Sequence, residues 1–248
     1  MMGLQEERLS RIHALIDQAG FMSTNEIAKT LQVSSMTIRR DLKKLEDEGK
    51  LTRIYGGAQS KKQTEFSTNE KLKRNIIEKK EIAQRLNELI PDNSTVYLGA
   101  GTTILLAVPY LSKKKATFVT NSLPAFTELI NSDCRIFLTG GELHRNTEEF
   151  LGRKAESMFK GLNLDFAICS TNGINNDHVT TSMMSEGNIQ NIAFDHADKA
   201  VIVADHTKLN HSDIITFQNL SNFDYFVTDS QISLEDQKKY SQYVKIIK

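Results

Sequence analysis

The chain of 248 residues has no tryptophan, only three prolines and only two cysteines. Cys134 and Cys169 each lie within a short apolar run, so we expect buried free thiols and no disulfide framework. No apolar stretch approaches the roughly 20 residues with which a helix crosses a bilayer. The first residues also lack the apolar centre of a signal peptide. The sequence therefore predicts a cytoplasmic protein without membrane contact.

The chain also lacks net charge, because 31 basic side chains balance 31 acidic ones. The two signs are distributed unevenly. Residues 1–62 hold 11 lysines and arginines against 8 aspartates and glutamates, and the remainder holds 20 against 23. A basic head on a slightly acidic body favours a nucleic-acid-binding head. The length is sufficient for about two domains.

The first 57 residues have the pattern of a winged helix-turn-helix. Apolar residues recur at helical spacing in a first helix, at Leu9, Ile12, Leu15 and Ile16, before Gly20 stops it. Residues 23–26 (Ser-Thr-Asn-Glu) form a capping box that opens a second, short helix. A third helix is predicted from Ser34 to about Glu48, where Gly49 ends it. Residues 50–55 alternate as a strand does, and two glycines then break the strand.

The third helix is predicted to contact DNA. Ile38, Leu42 and Leu45 lie on one helix face and would pack on the core. The opposite face suits a duplex, since a helix fits the major groove and arginine is the commonest side chain that reads guanine. The predicted DNA-binding residues are Ser35, Met36, Thr37, Arg39, Arg40 and Lys43, with Arg53 in the wing. The alternative is a merely solvated basic face. The capping box, the tight turn and the wing glycines together favour DNA binding.

Beyond a polar linker at 58–68 and a single helix from about Asn69 to Ile90, short apolar strands alternate with helices. The predicted strands lie at 95–98, 117–119, 135–138, 166–169, 200–203, 225–227 and 244–247. Continuous apolar runs favour a mostly parallel sheet that is covered on both faces. The predicted α/β architecture has a winged helix-turn-helix domain at 1–60, a linker with the start of the connecting helix at 61–75, and an α/β sheet domain at 76–248.

A candidate anion site follows the first of these strands. Residues 99–103 (Gly-Ala-Gly-Thr-Thr) join the strand to a helix, and such a turn presents backbone amides to a phosphate. The alternative is a turn that merely needs small residues. Polar or glycine residues also end four other strands, at 120–122, 139–141, 170–173 and 204–208. Ligands of open α/β sheets bind at the carboxyl ends of strands, so we expect a small polar, anionic ligand there.

These residues resemble a known family. The pattern Ser35, Ile38-Arg39-Arg40-Asp41-Leu42, Leu45, Gly49, Leu51, Arg53 and Gly56-Gly57-Ala58 is similar to the signature of DeoR-type bacterial repressors. The resemblance runs from about residue 5 to about residue 230. In that family the DNA-binding head joins a sugar-phosphate-sensing domain, which is related in fold to ribose-phosphate isomerases and glucosamine-phosphate deaminases. The implied partners are double-stranded operator DNA and a small sugar phosphate. We expect a homo-oligomer, a dimer or a tetramer.

The resemblance also implies an effector site. Gly101, Thr102 and Thr103 would hold the phosphate, and the sugar pocket would be lined by Thr120, Asn121, Gly140, Gly141, Asn172, Glu186 and Lys208. Where the family often has a basic residue four positions after that glutamate, this chain has Gln190. Residues 24–27, 147–152, 181–182 and 205–208 resemble family members that control lactose and tagatose 6-phosphate catabolism. The implied role is therefore repression of a sugar-catabolic operon, and the implied effector is tagatose 6-phosphate.

Two other classes of function remain as alternatives. An isomerase- or deaminase-like enzyme would use acid–base residues, for which Asp177-His178 and Asp205-His206 are the candidate pairs. The attached DNA-binding head favours sensing over turnover, so no catalytic residue is predicted. A structural or adaptor protein would leave the basic helix start unexplained. The six histidines form no short metal-ligand motif, and neither a metal nor a cofactor is expected.

Overall fold

The computed structural model describes residues 4–19, 21–54, 56–60 and 68–248. The chain divides into two compact units, with the boundary between residues 65 and 66. The predicted helix stop at Gly20, the end of the predicted wing strand at Tyr55 and the linker residues 61–67 lie outside the described residues. Within the described ranges, no helix combines the length and the apolar character that a membrane span requires.

The first unit is a winged helix-turn-helix. Its elements in chain order are α1 (Leu4–Ala19), β1 (Phe21–Ser23), α2 (Thr24–Leu31), α3 (Ser35–Asp47), β2 (Leu51–Ile54) and β3 (Gly57–Ser60). The strands form an antiparallel sheet in the order β1-β3-β2. The predicted irregular linker is wrong for residues 58–60, because Gly57–Ser60 pairs with Leu51–Ile54 as the second strand of the wing.

Local capping defines the two short helices of this unit. The Ser23 hydroxyl accepts a hydrogen bond from the Glu26 amide at 3.2 Å, and the Glu26 carboxylate accepts one from the Ser23 amide at 2.8 Å. The predicted capping box is thus confirmed. Ser34 caps α3 by accepting from the Thr37 amide at 3.2 Å. The small core is formed by the buried side chains of Leu9, Ile12, Ile16, Ile27, Ala28, Ile38, Leu42, Leu45, Leu51 and Ala58.

The second unit is built on a parallel sheet. Its strands are β4 (Thr95–Leu98), β5 (Thr117–Thr120), β6 (Arg135–Leu138), β7 (Glu142–His144), β8 (Glu149–Leu151), β9 (Leu164–Ser170), β10 (Gly173–Asn175), β11 (His178–Thr181), β12 (Ala197–Val203), β13 (Ile215–Asn219), β14 (Tyr225–Val227) and β15 (Lys245–Ile247). Seven strands pair in parallel in the order β15-β14-β12-β9-β4-β5-β6, which confirms the predicted sheet. The antiparallel sheet β10-β11-β13 and the hairpin β7-β8 were not predicted.

The helices of this unit are α4 (Thr68–Leu72), α5 (Ile76–Leu89), α6 (Thr102–Leu111), α7 (Leu123–Leu129), α8 (Arg153–Ser157), α9 (Met184–Asp195) and α10 (Leu234–Tyr240). Short 3₁₀ turns lie at His206–Lys208 and Leu220–Asn222. The prediction of one helix from Asn69 to Ile90 is wrong. Asn75 adopts a left-handed conformation (φ 51°) between α4 and α5, and its side-chain amide donates to Asp205 at 3.1 Å and to Thr207 at 3.0 Å.

Apolar side chains on both faces of the large sheet are buried. Tyr97 belongs to the cluster on one face, whereas its neighbours Val96 and Leu98 belong to the cluster on the other. This alternation with burial on both sides explains the continuous apolar runs in the sequence. Cys169 is buried in β9 as expected, while Cys134 is only half-buried.

The sheet has a topological switch point between β4 and β9. From β4 the chain adds β5 and β6 in one direction, and it then returns to add β9, β12, β14 and β15 in the other. Connections that diverge in this way leave a crevice at the carboxyl ends of the two central strands, where ligands of open α/β sheets bind.

Candidate functional site

The exposed face of α3 carries unpaired basic side chains. Arg39, Arg40 and Lys43 are exposed, and none of them has an ion-pair partner among the residues that the structure describes. Met36 is 60% exposed beside them. Arg39 and Arg53 line the same cleft, between α3, the start of α2 and the wing. The face therefore combines positive charge with a protruding apolar side chain, as a groove-binding helix requires.

Three of the predicted DNA-binding residues make hydrogen bonds within this unit. The Ser35 hydroxyl donates to the side-chain oxygen of Asn25 at 3.1 Å, and the Thr37 hydroxyl lies 2.9 Å from that of Ser34. The Arg53 amide donates to the Glu46 carboxylate at 2.9 Å. These hydrogen bonds orient the start of α3 and attach the wing to the end of α3. The bonded groups therefore help to fix the shape of the proposed DNA-binding surface.

Asp41 faces the inside of the unit although it lies between exposed basic residues in the sequence. Its side chain is only 2% exposed, and both of its carboxylate oxygens accept from the Arg8 guanidinium, at 2.6 and 3.2 Å. The hydrogen bond to Asp41 raises the pKa of Arg8. This bidentate pair attaches α3 to α1. It joins positions far apart in the chain, so sequence spacing does not reveal it.

The predicted effector residues gather at the carboxyl edge of the large sheet. Residues 101–103 follow β4, residues 120–121 end and follow β5, and residues 140–141 follow β6. On the other side of β4, Asn172 follows β9 and Lys208 follows β12. Because these five strands are adjacent and parallel, their ends lie side by side at the crevice.

The turn after β4 presents open hydrogen-bonding groups. Gly101 has φ 138°, and a Cβ there would lie 2.1 Å from the Ser170 hydroxyl oxygen, so only glycine fits. Thr102 and Thr103 begin α6, and neither hydroxyl is hydrogen-bonded to any part of the chain that the structure describes. The first amides of α6 have no partner within the helix and carry partial positive charge. The turn is suited to an anion.

Other predicted effector residues are hydrogen-bonded to this turn and to the strand before it, or follow the adjacent strand. The buried Thr120 hydroxyl donates to the Leu98 carbonyl at 2.6 Å. The Asn121 side-chain oxygen accepts from the Tyr97 hydroxyl at 2.9 Å and from the Ala100 amide at 3.0 Å. Gly140 (φ 67°) has open space around its Cα, whereas a Cβ on Gly141 would lie 2.6 Å from the Leu151 carbonyl oxygen.

Asn172 lies just beyond the carboxyl end of β9 and is held there by a hydrogen bond to a carboxylate. Its amide nitrogen donates to an Asp213 carboxylate oxygen at 2.8 Å, and the Asp213 amide donates to the Thr180 hydroxyl at 2.8 Å. Asp213 also faces Lys208, whose pKa it acts to raise. Asn172 thus reaches the charged part of the site through Asp213.

Lys208 lies in a cluster of basic side chains that also contains the carboxylates of Asp205 and Asp213. Burial is the main cause of its lowered pKa, which Asp205 opposes and the neighbouring Lys71 and Arg74 reinforce. Its ammonium has no hydrogen-bond acceptor within the described ranges of the chain. Lys79, which the sequence did not indicate, is buried nearby and donates to the Lys71 carbonyl at 2.6 Å. Burial lowers the pKa of Lys79 to about 8, and Asp205 again opposes the shift.

Glu186 meets a second buried carboxyl group, Glu149, which the sequence also did not indicate. Glu149 is 3% exposed and accepts from the Thr147 hydroxyl at 2.6 Å and from the Asn121 amide at 3.2 Å. Glu186 accepts from the hydroxyls of Thr181 and Ser182. Burial, together with the adjacent Glu186, raises the pKa of Glu149 well above its usual range. Burial and the neighbouring carboxyl group therefore disfavour the charged form of Glu149.

The candidate acid–base pairs of the enzyme alternative are not side-chain pairs. The Asp177 carboxylate accepts from the amide and hydroxyl of Ser221, at 2.8 and 3.0 Å. The His206 ring bonds to Asp229 at 2.8 Å and not to Asp205. In the described part of the chain, no group of three or more histidine, cysteine, aspartate or glutamate side chains is arranged to hold a metal ion.

Comparison with known proteins matches both units. Residues 8–64 match the DeoR-like helix-turn-helix domain, and residues 74–230 match the DeoR C terminal sensor domain. The chain is 36% identical over 247 residues to a lactose phosphotransferase system repressor of Staphylococcus epidermidis, covering 97% of this chain and 98% of that one. It is also 36% identical over 251 residues to the repressor of that name from Streptococcus mutans, covering 98% and 99%.

Solved structures match part of the chain. Ribose 5-phosphate isomerase A from Neisseria gonorrhoeae is 19% identical, with 54% of this chain and 53% of that chain covered and a TM-score of 0.41. The isomerase from Methanocaldococcus jannaschii is 15% identical, with 53% of each chain covered and a TM-score of 0.39. At these values the likeness is one of fold and says nothing of activity.

Proposed function

This chain belongs to the DeoR family, as the resemblance predicted, and we propose that it is a sequence-specific DNA-binding repressor of a sugar-catabolic operon that a sugar phosphate releases from DNA. The observation that carries the proposal is the presence in one chain of two surfaces that are rich in basic side chains. One is the exposed face of α3, and the other is the crevice around Lys208. The first suits nucleic-acid phosphates and bases, and the second suits a small phosphate ester.

The proposed effector is tagatose 6-phosphate, and the proposed operon serves lactose or galactose catabolism. The similarity to lactose phosphotransferase system repressors supports this choice. In the crevice, Gly101, Thr102 and Thr103 would hold the phosphate with Lys208, while Asn172 and Glu186 would face the sugar. Thr120, Asn121, Gly140 and Gly141 would shape the pocket. The DNA-binding form would be a homo-oligomer on paired half-sites, as is usual for helix-turn-helix dimers.

In the head, α3 would enter the major groove with Met36, Arg39 and Arg40 toward base edges. Lys43 and the wing residue Arg53 would contact the backbone, and Ser35 and Thr37 would orient the helix start. Replacing Arg40 by Ala is expected to weaken binding to the operator by about 1–3 kcal/mol if Arg40 reads a base. Titration of operator and random duplexes at a fixed salt concentration measures the difference.

The control for this variant is Arg85→Ala, since Arg85 is a partly exposed arginine on α5 in the other unit and pairs with Glu88. Arg85→Ala should leave operator affinity unchanged. A loss for Arg40→Ala that is equal on operator and random DNA would show that Arg40 contacts phosphate and does not read sequence.

The effector should bind in a pH-dependent manner because of Lys79. The pKa of this lysine is about 8 in the free protein, so its charge is present below pH 8 and is lost as the pH rises above it. Asp205 acts to keep Lys79 charged, whereas Lys208, Lys71 and Arg74 act against it. We expect affinity for tagatose 6-phosphate to fall about tenfold between pH 7.5 and pH 9, as the charged fraction of Lys79 falls.

Calorimetric titration at a series of pH values tests this expectation. Lys79→Arg keeps its charge throughout this range and should flatten the profile above pH 8. An unchanged fall in Lys79→Arg would assign the titration to another group.

The segment that comprises α4 and the break before α5, residues 68–75, is the proposed route by which the effector acts on the head. Thr68 begins α4, and its hydroxyl donates to the Thr147 carbonyl at 2.9 Å, next to Glu149. Asn75 separates the two helices and donates to Asp205 and Thr207, next to Lys208. Both ends of this segment are thus held by loops that carry the candidate effector site. The segment follows the linker in the chain, so an effector that shifts these loops would bias the heads.

The central experiment combines both surfaces in the intact chain. A labelled operator duplex should bind at physiological salt, and tagatose 6-phosphate should release it, whereas the unphosphorylated sugar should not. A thermal-shift screen with ketose and aldose phosphates would rank the ligands, since a ligand of the native state raises its stability. Conversion of a sugar phosphate at enzyme-like rates would instead favour the isomerase or deaminase alternative.

A further inference from the structure

Gln190 carries a buried polar atom that the fold does not use. The residue is 8% exposed, and its side-chain oxygen has no hydrogen-bond partner in the described part of the chain. Among the described residues, the Thr228 hydroxyl is the only other buried side-chain group with an oxygen that lacks a hydrogen-bond partner. Most buried polar atoms in native proteins are hydrogen-bonded, because leaving one unpaired is unfavourable. An unpaired buried oxygen one helical turn from the candidate effector residue Glu186 therefore points to a group that the ligand supplies.

The position of Gln190 on α9 places it with the carboxyl pair. It follows Glu186 by four residues, so both side chains project from the same face of the helix. Glu186 lies beside Glu149, which accepts hydrogen bonds from Thr147 and Asn121. Asn121 in turn accepts from the Ala100 amide in the proposed phosphate turn. A continuous set of polar contacts thus connects the phosphate turn to this second group.

We propose that Glu149, Glu186 and Gln190 form a hydroxyl-binding subsite that takes the uncharged, polyhydroxylated end of the effector and excludes a second anionic group at that end. The inference rests on the proposed function, because it assigns the other end of the same sugar phosphate. It makes the three residues determinants of specificity, and the sequence did not indicate Glu149.

The chemistry of the three groups fits hydroxyls. Each sugar hydroxyl offers one donor and two acceptor positions. Carboxyl groups offer acceptor oxygens, and a donor when protonated, and the Gln190 amide offers both a donor and an acceptor. Burial and the adjacent carboxyl group already disfavour negative charge at Glu149, so a phosphate or carboxylate brought against the pair would be repelled in a poorly solvated site. The cationic and anionic ends of the crevice would therefore orient a monophosphate in one direction.

Replacing Gln190 by Met tests the subsite with two effects of opposite sign. Met has a similar length and no unpaired amide, so the ligand-free protein should melt about 2–4 °C higher. The lost hydrogen bond should weaken binding of tagatose 6-phosphate about tenfold. Binding of inorganic phosphate, which occupies only the other end, should stay within about twofold of the unmodified protein.

The matched control is Thr228→Val, which removes the other unpaired buried oxygen. This variant should raise the melting temperature and leave the affinity for both ligands unchanged. If Gln190→Met melts higher and binds tagatose 6-phosphate as tightly as the unmodified protein, the amide is only a defect of packing and the subsite is wrong.

A third ligand tests the exclusion of a second anion. Tagatose 1,6-bisphosphate should bind the unmodified protein at least tenfold more weakly than tagatose 6-phosphate, and equal or tighter binding would overturn the proposal. Failure of the proposed function gives a different result, since no sugar phosphate would then release the unmodified protein from the operator. A normal response to tagatose 6-phosphate that Gln190→Met leaves intact contradicts the subsite alone.

Discussion

Replacing Arg8 by Met is expected to destabilise the DNA-binding unit by about 2–3 kcal/mol, because the carboxylate of Asp41 would remain buried without its partner. Asp41 is 2% exposed and Arg8 is 26% exposed, so the loss should be smaller than for a fully buried pair. The unit is small and has one modest core, so this change is a large fraction of its stability. The full-length variant should lose operator binding on mild warming and keep its response to sugar phosphates.

The double variant Arg8→Met, Asp41→Leu distinguishes two causes of destabilisation. One is the loss of the ion pair, and the other is the unpaired buried carboxylate of Asp41. If the stranded carboxylate causes the damage, removing it should restore much of the thermal stability and the operator binding. Proteolysis of the head, followed over temperature with effector binding as the internal reference, measures this. Equal instability in the single and double variants would show that α1 and α3 need the ion pair itself.

The large sheet could be predicted from the sequence, whereas the smaller pairings could not. Each strand of the large sheet is a short apolar run, which follows from burial on both faces. β1 and β3 have three or four residues with no periodicity of their own, and only their pairing makes them strands. The break before α5 has a distant cause, because Asn75 bonds to Asp205 on a loop 130 residues later.

The same division holds for the candidate effector site. The turn at Gly101 could be predicted because strand, glycine and helix start are neighbours in the sequence. Glu149 follows another glutamate in a polar stretch, and nothing local indicates that its carboxylate is buried against Glu186. Lys79 lies in a run of charged residues that predicts an exposed helix face. Its burial depends on how α5 packs in the folded chain, which the sequence does not indicate. Contacts that depend on distant partners are thus the part that sequence reasoning misses.

Replacing Lys208 by Met should weaken binding of tagatose 6-phosphate about a hundredfold, as expected for one charged hydrogen bond to a phosphate in a partly buried site. The ligand-free protein should tolerate the change, because the ammonium has no hydrogen-bond acceptor among the described residues and burial already disfavours its charge. Lys79 remains to oppose the charge of Asp205. Operator binding should be normal, and effector concentrations that release the unmodified protein should leave this variant bound.

Lys199→Met is the matched control, since Lys199 lies near the start of β12 and Lys208 lies just beyond its end. Lys199 is exposed and bonds to Asp224 at 2.7 Å, so its replacement should change effector affinity less than twofold. Calorimetry with tagatose 6-phosphate and inorganic phosphate then compares the two variants. If Lys208→Met binds both ligands as Lys199→Met does, the phosphate is held by the amides and hydroxyls of residues 101–103 without Lys208. A selective loss in Lys208→Met for both ligands places the phosphate between that turn and the cation cluster.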